Sequence, residues 1–233
     1  MEAWQSWMEN YLRTFVERDV GRFGPAVSPI QMRRFVTMLA AQQSGLLNAS
    51  DLGRALGVSY HTVQSYLEIL EGHFLVRRLQ PYYANIGKRL VKAPKLYIRD
   101  SGLLHYLLGI STDRQLLASP ARGRSWEGYM VEQIEARERL ERSGSQFFFY
   151  RTHTGTEVDL VIDRGQDRLG FEFKATASVE PRDWSNLQQA RADGIVGHGF
   201  VVHMGNRSFA AADGVDVVAA AQLLSWERAR AKA

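Results

Sequence analysis

The run Glu157-Val-Asp-Leu-Val-Ile-Asp163, followed after a short turn by Leu169-Gly-Phe-Glu-Phe-Lys174, is the strongest constraint in the chain. Strand side chains alternate between faces with a period of two. Val158, Leu160 and Ile162 therefore share one face, and Glu157, Asp159 and Asp163 the other. In the second run Leu169, Phe171 and Phe173 face a core, while Glu172 and Lys174 point out together. With a turn over Arg164 to Asp167, Asp163 pairs with Arg168, Asp159 lies opposite Glu172, and Glu157 lies opposite Lys174. Two carboxylates facing each other across a ladder repel. A divalent cation between them turns that cost into binding. The pattern thus predicts either an active-site hairpin or a half-buried strand pair with solvated charges.

A chain of 233 residues makes one large domain or two small ones, and 45% hydrophobic with 23% charged residues is enough apolar material for a core. Cysteine is absent, which excludes disulfides and thiolate metal sites and fits a reducing cytoplasm. No basic start followed by an apolar run marks a signal peptide, and no apolar stretch approaches a membrane span. A cytoplasmic protein without membrane contact is expected. The net charge of +4 and pI of 9.4 permit nucleic-acid binding without requiring it.

Residues 1–20 carry Trp4, Trp7, Met8, Tyr11, Leu12, Phe15 and Val16 at helical spacing, before Gly21, Gly24 and Pro25. The helix either packs on its own domain or docks a module elsewhere. A second helix is expected from Pro29 to Ser44. Next, a short helix from Ala49 to Leu56 stops at Gly57, and Ser59 caps another with Val63, Leu67 and Leu70 inward. Tyr60, His61, Gln64 and Ser65 stay outward, where a recognition helix meets a groove. Extended runs at Phe74 to Gln80 and Lys95 to Asp100 flank a loop, which completes the order of a winged helix. Arg77, Arg78, Lys88, Arg89, Lys92, Lys95 and Arg99 precede the first acid, Asp100, and Tyr82, Tyr83 and Tyr97 interleave with them. Such a ribbon suits a phosphate backbone. A solvated hairpin or a protein-binding winged helix gives the same pattern.

A short helix over Ser101 to Gly109 leads to a polar stretch, 110–122, that reads as a domain boundary. Beyond it the expected order is a helix (Ser125 to Arg142), a strand (Gln146 to Arg151), the hairpin, a helix (Pro181 to Arg191) and a strand (Gly199 to His203). A further strand at Val215 to Val218 and a closing helix near Ala220 to Arg230 follow. The division is 1–28 for the N-terminal helix and linker, 29–110 for the winged helix, and 123–225 for the last domain.

Helix, three strands, helix, strand is the core order of the restriction-endonuclease-like fold, and the residues resemble its PD-(D/E)xK family. Asp159 matches the metal-binding aspartate, Glu172-Phe-Lys174 the acid-x-lysine, and Glu127 the acid of the first helix. The proline of the written motif is absent, since Glu157-Val158 precedes Asp159. The resemblance implies Asp159, Glu172 and Glu127 as ligands of Mg²⁺ or Mn²⁺, with Lys174 acting on the attacking water. His153 and Gln188 stand nearby as further candidates.

A longer resemblance covers residues 4–205. Its residues include Tyr11-Leu-Arg-Thr-Phe-Val-Glu-Arg-Asp-Val20, Asn85-Ile-Gly-Lys-Arg-Leu-Val-Lys-Ala-Pro-Lys-Leu-Tyr-Ile-Arg-Asp-Ser-Gly102, Trp126-Glu127 and Glu157-Val-Asp159. They resemble the C-terminal region, a domain of unknown function, of bacterial and archaeal AAA-type ATPases. This implies a mixed α and α/β chain: a helical winged-helix domain, then an αβββαβ endonuclease-like domain. No G-x-x-x-x-G-K-[ST] occurs, so no ATP site is expected in this chain. Two functions follow. One is a DNA-associated, Mg²⁺-dependent phosphodiesterase guided by the winged helix through Tyr60, His61, Gln64, Lys88, Arg89, Lys92 and Lys95. The other is a non-catalytic DNA- or protein-binding module that partners an AAA-type ATPase.

Overall fold

The computed structural model describes residues 2–20, 28–83, 90–142 and 144–223. Lys88, Arg89 and most of the expected closing helix lie outside the described residues. The chain divides into two compact units, residues 1–78 with 93–129, and 79–92 with 130–233.

In the first unit, α1 (Glu2–Thr14) continues into a π-helical turn over Phe15–Asp19. Its apolar stripe is committed to its own unit: Met8, Leu12, Phe15 and Val16 join one core with Phe35, Leu39 and Leu67. Arg33 grips Glu9 with both guanidinium nitrogens, at 2.8 and 2.5 Å. Then come α2 (Pro29–Ala41), β1 (Gly45–Leu46), α3 (Ala49–Leu56), α4 (Tyr60–Gly72), β2 (Val76–Pro81) and β3 (Lys95–Ile98). Asn48 caps α3 by accepting from Asp51 N at 3.2 Å, and Ser59 caps α4 by accepting from Thr62 N at 3.1 Å. Between them Gly57 takes φ +75°, which lets the chain leave α3 at once. β1 pairs antiparallel with β3, Gly45 opposite Leu96, and the strand order is β1-β3-β2. Helix, strand, two helices and two strands in that order form a winged-helix-like region.

Residues 110–122 are more than a connector. After α5 (Ser101–Leu107), α6 (Asp113–Ala118) stands on a capping box, with Thr112 and Gln115 satisfying each other's backbone amides. The first turns of α7 (Arg122–Glu141) stay in the first unit as far as Tyr129. No helix among the described residues is long and apolar enough to cross a membrane.

The second unit holds β4 (Gln146–Arg151), β5 (Glu157–Asp163), β6 (Arg168–Lys174), α8 (Ser185–Ala192), β7 (His198–His203), β8 (Phe209–Ala212) and β9 (Val215–Ala219). Their order is β4-β5-β6-β7-β9-β8. β5 is antiparallel to both neighbours, whereas β7 runs parallel to β6 and to β9. The hairpin register is the expected one, Asp163 opposite Arg168. Its turn closes through Arg164 N to Asp167 O at 2.9 Å, with Gly165 at φ +88°.

The face assignment is not the expected one. Phe148 pairs with Val161 but Tyr150 pairs with Val158, so β5 spends one residue more than β4 over this stretch. That bulge puts Val158 and Val161 in the same core cluster, with Leu187 of α8, instead of leaving Val158 beside Leu160 and Ile162. Both sides of the hairpin are also covered: Asp159 is 8% and Glu172 5% exposed. The acids therefore do not lie on an open, solvated face.

α8 reaches the sheet over two facing glycines. Gly170 pairs with Gly199, and a Cβ on either would stand 3.1 Å from a Leu187 carbon. Gly170→Val is expected to destabilise the second unit by about 1–3 kcal/mol through overpacking. Urea denaturation checks this; an unchanged midpoint would mean that α8 yields without cost.

Candidate functional site

Backbone pairing of β5 with β6 runs from Asp163 and Arg168 to Leu160 and Phe171. One step further, the Asp159 carboxylate takes the place of a strand carbonyl: its Oδ2 accepts from Phe173 N at 3.1 Å. The bulge and this substitution end the ladder where the acids sit. A bulge beside a site re-aims side chains in this way. Glu172 lies on the α8 side, where its Oε1 accepts from Asn186 Nδ2 at 3.4 Å. Lys174 Nζ stands 3.7 Å from Glu172 Oε2. Lys174 also pairs with His203 across the parallel ladder, so it occupies the carboxyl ends of β6 and β7. Ligands of open α/β sheets bind at that edge. Glu157 pairs with Arg151 at 3.3 Å.

Two buried carboxylates with a half-buried ammonium beside one of them are costly unless neighbours satisfy them. The Phe173 amide, Asn186 and Lys174 do part of this. Asn186 was not among the expected site residues; it lies 14 residues from Glu172, and no local pattern marks it. His153 and Gln188 are exposed.

Glu127 belongs to the first unit and has a different office. Its Oε1 accepts from Lys95 Nζ at 2.9 Å and from Tyr97 OH at 2.7 Å. Both partners lie on β3 and are buried, Lys95 to 2% and Tyr97 to 0% exposure. The expectation that Lys95 meets a phosphate is corrected accordingly: its ammonium is inside the fold, neutralised by Glu127. Among the described residues no three His, Asp or Glu side chains are grouped to hold a metal ion. Of the expected ligands, Asp159 and Glu172 belong to the second unit and Glu127 to the first.

The hairpin is held from its turn end by a clamp that sequence reasoning did not single out. Arg164 donates to Glu138 through Nε at 2.7 Å and Nη2 at 2.6 Å, and Ser145 Oγ donates to Glu138 Oε1 at 2.6 Å. Burial alone would raise the Glu138 pKa. The hydrogen bonds from Arg164 and Ser145, with the charges of Arg164 and Arg142, outweigh it, and the pKa is lowered.

The expected nucleic-acid residues separate into several groups. Tyr60 is 52% exposed and meets His61 edge-on at 5.8 Å. Gln64 is occupied, since its Oε1 accepts from Arg78 Nη1 at 2.9 Å. Arg78 also donates through Nε to Glu71 Oε2 at 2.8 Å, so it serves the fold of the first unit. Lys92 is exposed on the second unit. Lys88 and Arg89 lie outside the described residues. Helix α4 carries Glu68 and Glu71 but no lysine or arginine.

Residues 1–114 match the family model described as Domain of unknown function (DUF8612), and residues 122–223 the one described as Domain of unknown function (DUF4143). The chain is 36% identical over 220 residues to the uncharacterized protein Rv2008c of Mycobacterium tuberculosis, and equally to the uncharacterized protein Mb2031c of Mycobacterium bovis. In both cases 94% of this chain is covered but 48% of the relative, so the chain spans about half the length of the curated relatives it matches. Among solved structures, a mutant of Staphylococcus aureus MepR bound to an oligodeoxyribonucleotide aligns at 16% identity and a TM-score of 0.29, covering 57% of this chain and 91% of that one. A Mycobacterium tuberculosis MarR family protein, Rv2887 in complex with salicylic acid, aligns at 19% and 0.24, covering 60% and 92%. Likenesses this low carry no argument, and the winged-helix reading rests on the strand and helix order itself.

Proposed function

We propose that this chain is a DNA-associated phosphodiesterase of the PD-(D/E)xK kind. The observation that carries this reading is the pair of buried acids, Asp159 and Glu172, at the broken end of the β5–β6 ladder, with Lys174 Nζ 3.7 Å from Glu172. The donors are carboxylate oxygens, which suit Mg²⁺ or Mn²⁺, and Mg²⁺ usually keeps several waters. Asp159 and Glu172 would hold such an ion; when bound, it would supply charge neutralisation at a phosphate. Lys174 orients the attacking water and faces the charge that develops as the P–O bond breaks and the leaving oxygen takes a proton. Asn186 and the Phe173 amide keep the two carboxylates in place. The winged helix brings the duplex through Tyr60 and His61, and Lys88, Arg89 and Lys92 are the cations proposed to meet phosphates. The cytoplasm is the compartment this reading expects.

Purified protein with Mg²⁺ or Mn²⁺ should nick or cut DNA, and Asp159→Ala or Lys174→Ala should each lower the rate by at least about 10²-fold. Neutralising Lys92, or Lys88 with Arg89, should flatten the salt dependence of DNA binding.

A second reading has its own support. The lack of a three-acid cluster among the described residues, and a recognition helix without cations, favour a non-catalytic module that partners an AAA-type ATPase. Wild type that cuts neither DNA nor RNA and gives no calorimetric heat with either metal would leave that reading standing and end the catalytic one.

A further inference from the structure

The first unit contains a cavity of about 270 Å³ that neither reading uses. Trp4 of α1, Ile110 and Leu116 form its apolar walls, and His105, Ser111 and Asp113 are among its polar groups. Ser111 gives its hydroxyl proton to Gln115 Oε1 at 2.9 Å, so the oxygen has lone pairs left for a ligand. Asp113 is exposed at the rim and, once ionised, can only accept. His105 Nε2 lies 2.7 Å from Ser125 Oγ. Burial pushes the His105 pKa down against a smaller upward pull from Asp100. Among the described residues no lysine or arginine lines the space. The result is an apolar slot with an indole wall and a negative charge at its mouth. Indole faces attract cations, and a carboxylate selects an ammonium over a neutral or anionic head.

We propose that this cavity binds a small organic cation, with its ammonium group on Asp113 and Ser111 and its apolar body between Trp4, Ile110 and Leu116. An anion of the same size would meet Asp113 as a like charge. The proposal is independent of the phosphodiesterase reading, since its residues belong to the first unit and take no part in the hairpin.

The test titrates the full chain with 2-phenylethylammonium, and separately with 3-phenylpropanoate, by calorimetry and tryptophan fluorescence. Saturable binding of the ammonium with Kd of about 0.1–1 mM, and none of the carboxylate, is expected. Asp113→Asn should weaken the ammonium about tenfold, a change of roughly 1.4 kcal/mol. Trp4→Leu should weaken it too, and Asp113→Asn keeps the test valid if that variant folds poorly, because Asp113 is exposed. No saturation up to about 10 mM, equal binding of the carboxylate, or unchanged affinity in Asp113→Asn would each overturn the proposal.

Discussion

Glu127→Ala is expected to cost the first unit about 3–5 kcal/mol, because it removes a carboxylate to which the buried Lys95 ammonium donates. Lys95 is 2% exposed and donates to Glu127 at 2.9 Å. Tyr97 OH loses its bond to Glu127 in the same variant. Breaking one side of a buried pair is worse than removing both, so Lys95→Met combined with Glu127→Leu should recover much of the loss. Urea denaturation, followed by hydrogen exchange at the β3 amides, reads the effect. The same variant separates two roles for Glu127. A metal ligand would lose cation binding with little change in stability, whereas the ion pair predicts the reverse. An unchanged urea midpoint would sink the structural assignment.

Arg164→Met is expected to have an effect of similar size on the second unit, about 3–5 kcal/mol, since it strips the main partner from a carboxylate that is 5% exposed. The clamp joins α7 to the turn between β5 and β6, so fraying should start at Asp163 and Arg168 and travel toward Asp159. Hydrogen exchange along the two strands would show that gradient, and uniform protection would contradict it. The pH dependence has a defined sign. Glu138 has a lowered pKa in the fold, so its contribution is complete above the ordinary value of 4.5 and is lost as pH falls through the lower folded value. Without Arg164 the burial cost is less opposed, and the acid limb of the stability curve should move to higher pH.

Much of the fold was legible because its causes are local. Gly57 and Ser59 end and start helices through their own backbone and hydroxyl, and the structure has both where they were read. The hairpin register followed from its turn, and Asp163 meets Arg168. The Thr112-Asp-Arg-Gln115 box is equally local, since Thr112 and Gln115 satisfy each other's backbone amides. β8 had no such signal: Phe209-Ala-Ala-Ala212 has weak strand propensity and is extended because β9 pairs with it.

The sites were harder to read because charged residues choose partners far along the chain. Glu127 and Lys95 are 32 residues apart, and each looked functional in isolation. Their attraction inside the fold makes them one structural pair. Arg78 likewise left the expected basic ribbon for Glu71 and Gln64.

Sequence alone therefore determined the main helices and strands, their order and the register of the hairpin, since turns, caps and periodicity act over a few residues. Tertiary structure alone decided which faces are buried and which charges remain for chemistry. One extra residue in β5 changes the face of Val158, and burial on both sides turns Asp159 and Glu172 from surface acids into enclosed ones. Both effects arise from neighbouring strands and α8, whose contacts no period of two along a single strand can encode.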